Sequence, residues 1–407
     1  MSHLIDPNWR ASLKPVTGSK FWLDVAGTIM IPYVIFYLSL FGGMRALKLA
    51  LLPFGYIAAF RVLFLGGLDT QYSAMYGNQM FNLVAGSATR WALSDLPPDY
   101  QPTTEPSPFP TIRQSTAYKA LSMMLNVHRH VGIKGFIPLR SQGKTRLQYI
   151  RHHFIRVIIS RQLWTEFVYL VYLFSGATYS AAPATDLYTR MQDFQRHSGI
   201  PPAITRTLFA VNIMIMIKLG LEIVWHASAV LMIGSGLWNG EEFPRLINSP
   251  LKSTSLTEFW GKRYHQLNRD TLSLWSNLFK PLGRTIQLFS VFLISGVQHY
   301  TIYHTGLPIP GSFTAWSSLF LGCGFGIMLE RLWYKRTGRH VSGPPGLMWM
   351  LLWTALICQP MVCWYWQMII VDQMPNLTPT HSAVGWILWY TGLAPRPGTL
   401  SLHVDRS

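Results

Sequence analysis

Two histidines stand in segments of opposite character, and both are suited to proton chemistry. His265 ends the basic, aromatic stretch Phe259-Trp-Gly-Lys-Arg-Tyr-His265, whereas His299 lies in the apolar run that begins at Val291. An imidazole has an unperturbed pKa of about 6.5, so its neutral form can take a proton from a hydroxyl near neutral pH. Ionisable side chains at membrane depth are costly, so His299 is the stronger candidate for a general base. The alternative is a packing histidine that donates to a backbone carbonyl.

The segment before His265 predicts a helix at the membrane surface. Ser255 precedes Glu258 by three residues, which is the spacing of a helix-capping box. In that helix, Trp260 and the heads of Lys262 and Arg263 would face the boundary between membrane and water, where long basic side chains reach phosphates. A linker helix on any membrane protein can carry such residues, so this segment alone does not identify a ligand.

Two other polar patterns favour structural roles. Lys218, Glu222 and His226 repeat at intervals of four and share one face of a helix, where we favour a polar ladder over catalysis. His265 and Asp270 match the H-x-x-x-x-D spacing of glycerolipid acyltransferases. On a helix these two side chains would point about 140° apart, so we interpret Asp270 as incidental. The sequence contains no metal-spaced His/Cys cluster and no phosphate-binding loop, and it predicts no metal site.

The composition indicates a membrane protein. Of the 407 residues, 49% are hydrophobic and 13% are charged, against roughly 25% charged residues in a soluble domain. The net charge of +17 favours contact with anionic headgroups or an anionic ligand over nucleic acid. The three cysteines all lie in apolar runs, so they suggest no disulfide framework.

Apolar segments about 20 residues long predict an all-α, polytopic bundle of about nine transmembrane helices. Two weaker segments are 71–93, which contains Asn78, Asn82 and Arg90, and 383–395, which is short. No internal repeat is evident, so residues 1–407 are predicted to form a single polytopic domain. The clear segments are 21–44, 49–67, 157–181, 207–237, 285–303, 313–330 and 345–371.

The charge pattern orients these segments across the membrane. Residues 94–156 form a basic loop, and the positive-inside rule makes that loop cytosolic. If the spans alternate, residues 239–284, which carry the basic aromatic stretch, lie on the same side. The histidines of the basic loop, including His130 and His153, are then expected to contact water or headgroups.

These motifs resemble a known family. Phe259-Trp-Gly-Lys-Arg-Tyr-His-Gln266, followed by Phe292-Leu-Ile-Ser-Gly-Val-Gln-His299, is similar to the wax synthase-like branch of the membrane-bound O-acyltransferases. Within that branch the motifs most resemble the fungal acetyltransferases that act on terpenoid and meroterpenoid metabolites. His130-Val-Gly-Ile133 also resembles the Arg-Gly-Ile element of the branch. The sequence departs from the family pattern at Tyr264, where Trp is usual, and at Gln298 and Tyr300, which flank the histidine in place of apolar and acidic residues.

The resemblance implies a helical bundle with an internal tunnel, which acyl-CoA enters from the cytosol and a hydrophobic alcohol enters from the bilayer. His299 would be the general base, and His265 would donate a hydrogen bond to the thioester oxygen. Trp260, Lys262 and Arg263 would bind the acetyl-CoA co-substrate. Neither a metal nor a permanently bound cofactor is implied, and the location implied is the membrane of the endoplasmic reticulum.

Two alternative functions stay open at this point. A wax-ester or sterol O-acyltransferase shares the chemistry and differs in the shape of its tunnel. A polytopic transporter would explain the apolar segments and the polar ladder, but it predicts paired half-repeats, which the sequence does not show.

Overall fold

The computed structural model consists chiefly of α-helices. In the residues it describes, strand pairing is limited to an isolated antiparallel bridge between Tyr100 and Ile133. The helical fold class predicted from the sequence is therefore confirmed. The described residues are 17–66, 76–101, 108–125, 130–139, 142–174, 187–264, 266–304, 312–359, 361–362, 380–394 and 396–397.

Fourteen helices are numbered here in chain order, and three of them contain π-helical turns, at Arg61–Leu65, Phe81–Ala88 and Phe259–Tyr264. They are α1 (Gly18–Ser39), α2 (Arg45–Leu65), α3 (76–93), α4 (Pro110–Gln114), α5 (Thr116–Leu125), α6 (Arg146–Phe174), α7 (Leu187–Ser198), α8 (Pro202–Gly234), α9 (256–264), α10 (Arg269–Ser276), α11 (Arg284–His304), α12 (Ser312–Thr337), α13 (Gly343–Ile357) and α14 (Ala383–Tyr390).

Among the described residues, five helices are long and apolar enough to cross a membrane, namely α1, α2, α6, α8 and most of α12. Helix α11 covers the predicted segment 285–303 but is not one of the five, because Gln287, Gln298 and His299 lower its mean hydropathy. Helix α13 is apolar but has 15 residues. The count of about nine spans and the internal tunnel stay predictions.

Helix α6 begins earlier than the sequence predicted. It starts at Arg146, inside the predicted basic loop 94–156, and runs without a break into the predicted span. The reason is that Arg, Gln and Leu are good helix formers, so the high charge that marks a loop by hydropathy does not end the helix. Helices α4 and α5 also lie within this loop.

The chain divides into two compact units. The first comprises Met1–Ile150 and Leu231–Val341, and the second comprises Arg151–Val230 and Ser342–Ser407. In the first unit, α1, α3 and α5 bury a common apolar core, which includes Phe36, Trp91 and Met123. The predicted single polytopic domain over residues 1–407 stays a prediction.

Two loop histidines are buried, contrary to the expectation that they contact water or headgroups. His130 is 1% exposed, and its Nε2 lies 3.3 Å from the hydroxyl oxygen of Ser87 on α3. His153 is 3% exposed in the second unit, and its Nδ1 lies 2.8 Å from Nδ1 of His226. The expectation rested on the basic charge of the loop, which does not reveal that each imidazole has a polar side-chain partner inside the fold.

The polar ladder of α8 pairs within the second unit. Lys218 and Glu222 form an ion pair of 2.7 Å, as the spacing of four residues predicted. His226 contacts His153 of α6, a partner that the sequence did not indicate. The ladder thus has structural contacts along its length.

Helix α9 carries the basic aromatic stretch and begins at the predicted cap. The hydroxyl of Ser255 accepts a hydrogen bond from the backbone N–H of Glu258 at 3.0 Å, which confirms the N-cap. The Glu258 carboxylate accepts from the N–H of Thr254, whereas in the predicted capping box it would accept from the N–H of Ser255. From Phe259 to Tyr264 the turns are π-helical, so residues five apart share a face, and these two rings stack at 5.1 Å.

Glu330 of α12 holds the first turn of α9. Its carboxylate accepts hydrogen bonds from the backbone N–H groups of Leu256 at 2.6 Å and Thr257 at 3.0 Å. The hydroxyl of Thr257 donates a third, at 2.6 Å. The first N–H groups of a helix have no partner within it, and a carboxylate there also complements the helix dipole. Glu330 is 7% exposed, so water does not readily replace it.

We expect Glu330→Ala to destabilise the first unit, because the substitution removes the acceptor of the buried N–H of Leu256 and of the partly buried N–H of Thr257, at a cost of about 1–3 kcal/mol. The melting midpoint of the purified protein in detergent should fall by roughly 3 °C or more. Glu330→Gln, which keeps one acceptor, should lose less. Arg331→Ala, at the exposed neighbouring position, is the matched control. If the two alanine variants have the same melting midpoint, Glu330 does not stabilise the first turn of α9.

Candidate active site

Helix α11 presents His299 from its last turns. Gly283 lies between the preceding 3-10 turns and α11. Its φ of 100° is a backbone conformation that favours glycine. Nδ1 of His299 lies 2.7 Å from the carbonyl oxygen of Ser295, one turn earlier. A carbonyl oxygen can only accept, so Nδ1 carries the proton and Nε2 carries the lone pair. This contact is the one expected of a packing histidine, and it also fixes the tautomer that a general base needs.

An aromatic wall on α12 faces the imidazole. The ring of His299 lies 4.9 Å from the ring of Trp316 and 4.7 Å from that of Phe320, measured between centroids. Trp316 and Phe320 stack nearly parallel at 6.0 Å. Ring faces without charge surround the imidazole on this side, which suits a hydrophobic substrate.

Trp260 of α9 reaches the same wall. Its ring lies 6.3 Å from Phe320 and 6.3 Å from Phe292 of α11. Trp260 is 7% exposed, whereas the sequence placed it at the membrane surface. The π-helical turns rotate it inward onto these two rings. The two motifs of the sequence are therefore brought together through Phe320, which contacts both Trp260 and His299.

Arg263 has a structural role in this arrangement. Its guanidinium donates to Oε1 of Glu258 at 2.8 and 2.6 Å and to the carbonyl oxygen of Asn248 at 3.1 Å. Hydrogen bonds from the N–H of Thr254 and from Arg263 hold the pKa of Glu258 below its ordinary value, so this carboxyl is ionised at neutral pH. Lys262 is exposed and lies beside this ion pair.

His265 lies outside the described residues. Asp270, which the sequence interpreted as incidental, lies in the first turn of α10. Its backbone carbonyl accepts a hydrogen bond of 2.9 Å from Arg90 of α3. Within the described part of the chain, no group of three or more His, Cys, Asp or Glu side chains could hold a metal ion.

Sequence reasoning missed the role of helix α3. Asn78 accepts a hydrogen bond of 3.1 Å from Gln298, the residue before His299. Asn82 donates to Oδ1 of Asn268 at 2.9 Å and accepts from Thr271 at 3.0 Å. Asn78, Asn82 and Arg90 are the residues that made 71–93 a weak span. Polar side chains at a regular spacing in an apolar segment were the signal, because such groups need buried partners.

Comparison with known proteins connects this site to a family. Residues 243–321 match the sequence pattern of the membrane bound O-acyl transferase family, and this range contains α9 and His299. The chain is 25% identical over 178 residues to the acetyltransferase spyB of Aspergillus fumigatus, covering 36% of this chain and 30% of spyB. It is also 25% identical over 203 residues to the acetyltransferase atnC of an Arthrinium species, covering 44% of this chain and 43% of atnC.

The chain thus spans less than half the length of either relative. No solved structure matches it. The matches nevertheless confirm the resemblance that the motifs indicated. The segment that carries Trp260 and His299 is thus similar to the corresponding segment of the membrane bound O-acyl transferase family, and parts of the chain are similar to fungal acetyltransferases.

Proposed function

We propose that the protein transfers the acetyl group of acetyl-CoA to a hydroxyl of a hydrophobic terpenoid or meroterpenoid, in the membrane of the endoplasmic reticulum. The observation that carries this proposal is the environment of His299, a histidine with a fixed tautomer against an aromatic wall. The two fungal acetyltransferases that resemble the chain support an acetyl donor. The apolar rings of Trp316 and Phe320 support a hydrophobic acceptor.

In the proposed reaction, Nε2 of His299 takes the proton of the acceptor hydroxyl as its oxygen attacks the thioester carbonyl carbon. The C–O bond forms, the C–S bond then breaks, and the CoA thiolate takes the proton from the imidazolium. The histidine returns to its neutral state without a covalent intermediate. The hydrogen bond from Nδ1 to the carbonyl oxygen of Ser295 keeps the proton on Nδ1 throughout, so each turnover begins with the lone pair on Nε2.

The donor side of the site is assigned to α9. Lys262 is the exposed cation of the basic stretch and is proposed to bind a CoA phosphate, while Arg263 keeps the stretch in place through Glu258. Trp260 is proposed to form the wall against which the acyl end of acetyl-CoA lies. His265 is proposed to donate a hydrogen bond to the thioester oxygen as negative charge develops there.

We expect His299→Ala to lower kcat for acetyl transfer by a factor of about 10² or more, because general-base catalysis contributes that much. The assay offers labelled acetyl-CoA or palmitoyl-CoA, with a terpenoid alcohol, a sterol or a fatty alcohol, to microsomes that contain the protein. The acetyl donor with the terpenoid alcohol should give the labelled ester.

The control for this variant is His340→Ala, which removes an exposed histidine that stacks on Tyr334 at 4.1 Å. It should retain full activity. A normally expressed His299→Ala protein with near-full activity would overturn the assignment of the base. Turnover of palmitoyl-CoA with a fatty alcohol or a sterol in preference to the acetyl pair would establish the wax-ester or sterol alternative instead.

We expect Lys262→Ala to raise KM for acetyl-CoA roughly two- to fivefold, the range of an exposed ion pair, without changing KM for the acceptor. Steady-state kinetics in which each substrate is varied in turn measure this. Lys280→Ala, at another exposed lysine of the first unit, is the matched control. Equal KM values for acetyl-CoA in the two variants would contradict a phosphate contact at Lys262.

A further inference from the structure

Gln298, the residue before His299, is buried, and only one of the two polar atoms of its side-chain amide is hydrogen-bonded to a described residue. The side chain is 3% exposed, and its Nε2 donates to Oδ1 of Asn78 at 3.1 Å. Its Oε1 is buried and has no hydrogen-bond partner in the described part of the chain. If both amides are turned over, the same contact leaves Nε2 as the unused end. In either orientation, one polar end of Gln298 is buried without a protein partner.

A second unused polar atom lies one turn before His299. The hydroxyl oxygen of Ser295 is buried and makes no hydrogen bond with any described residue, while the side chain is 1% exposed. Buried polar groups are rarely left unpaired, because each then loses its hydration without compensation. Two such atoms within four residues of His299 therefore indicate a bound polar group.

The geometry of a helix places these atoms on one side of α11. With about 100° of rotation per residue, Gln298 projects about 60° to one side of Ser295 and His299 about 40° to the other. The three side chains line one sector, with Ser295 in the middle. Gln298 at one edge contacts α3, and His299 at the other edge contacts α12. A ligand in this sector would meet the proposed base and both unused atoms together.

We propose that Gln298 and Ser295 form a polar subsite that binds a second oxygen function of the acceptor, a hydroxyl close to the one that is acetylated. This inference rests on the proposed function and adds a substrate class to it, since the preferred acceptor is a diol or polyol. A hydroxyl both donates and accepts, so it can pair with either end of the Gln298 amide and with the Ser295 hydroxyl. A simple fatty alcohol would leave both groups unpaired, and such sites reject analogues that lack the matching group.

The test compares a terpenoid diol with the mono-alcohol that lacks its second hydroxyl. The first pair is menthol and the p-menthane diol that carries one hydroxyl more than menthol. We expect the wild-type protein to prefer the diol about tenfold or more in kcat/KM, chiefly through a lower KM. Gln298→Leu should reduce this preference about tenfold, and Ser295→Ala, which removes only the hydroxyl, about threefold. Retention of the fold is checked by the melting midpoint, and the Ser295→Ala result stands if the Gln298→Leu protein does not fold.

Gln287→Leu is the matched control. Gln287 lies on the same helix and also donates from Nε2 to an asparagine Oδ1, that of Asn277 at 3.0 Å, but Gln287 is only partly buried and this hydrogen bond is exposed. It should keep the wild-type preference. A folded Gln298→Leu or Ser295→Ala protein with an unchanged ratio of diol to mono-alcohol would overturn the subsite and leave the acetyltransferase proposal intact. A wild-type protein that acetylates no alcohol would overturn both.

Discussion

The carboxylate of Glu330 accepts hydrogen bonds from the first turn of α9, and the same helix α12 presents Trp316 and Phe320 to His299. A single rigid helix thereby sets both the basic aromatic stretch and the wall of the histidine. Because α12 also packs along α11, the distance between the two sequence motifs is fixed by helix geometry instead of by the loops that join them. This constraint explains how residues some forty positions apart can act in one site, with Phe320 touching the rings of both Trp260 and His299.

On the other side of α11, helix α3 supplies the side-chain amides of Asn78 and Asn82. Asn78 orients Gln298, while Asn82 joins α3 to α10 through Asn268 and Thr271. The absence of a side chain at Gly86 allows Thr271 to approach closely, since a Cβ there would overlap it. The π-helical turns of α3 fall in this region, as such turns often do near functional residues. The histidine helix is thus held by apolar rings on one side and by a polar network on the other.

The sequence predicted the helical class and the N-cap at Ser255, which the structure confirms, because each rests on local patterns of hydropathy and capping. The role of His299 stays a prediction. The sequence did not predict the contacts that assemble the site. Glu330 had no local signal that distinguished it from any charge near a helix end, and the inward turn of Trp260 depends on π-helical turns that periodicity does not reveal. Arg263 was expected at a phosphate, but its pairing with Glu258 depends on the fold of the preceding loop. In each case the position of the side chain depends on contacts with residues that are not its neighbours in the sequence.

The basic aromatic stretch and His299 share one aromatic wall through Phe320. Their coupling is measured by a double-mutant cycle on kcat/KM for acetyl-CoA, using Trp260→Ala, Phe320→Ala and the variant with both substitutions. Rings in contact couple by about 0.5–1.5 kcal/mol, whereas independent sites add to within about 0.5 kcal/mol. We expect the double variant to lose clearly less activity than the product of the two single losses. Strictly multiplicative losses in folded proteins would mean that Trp260 and Phe320 do not act through one wall.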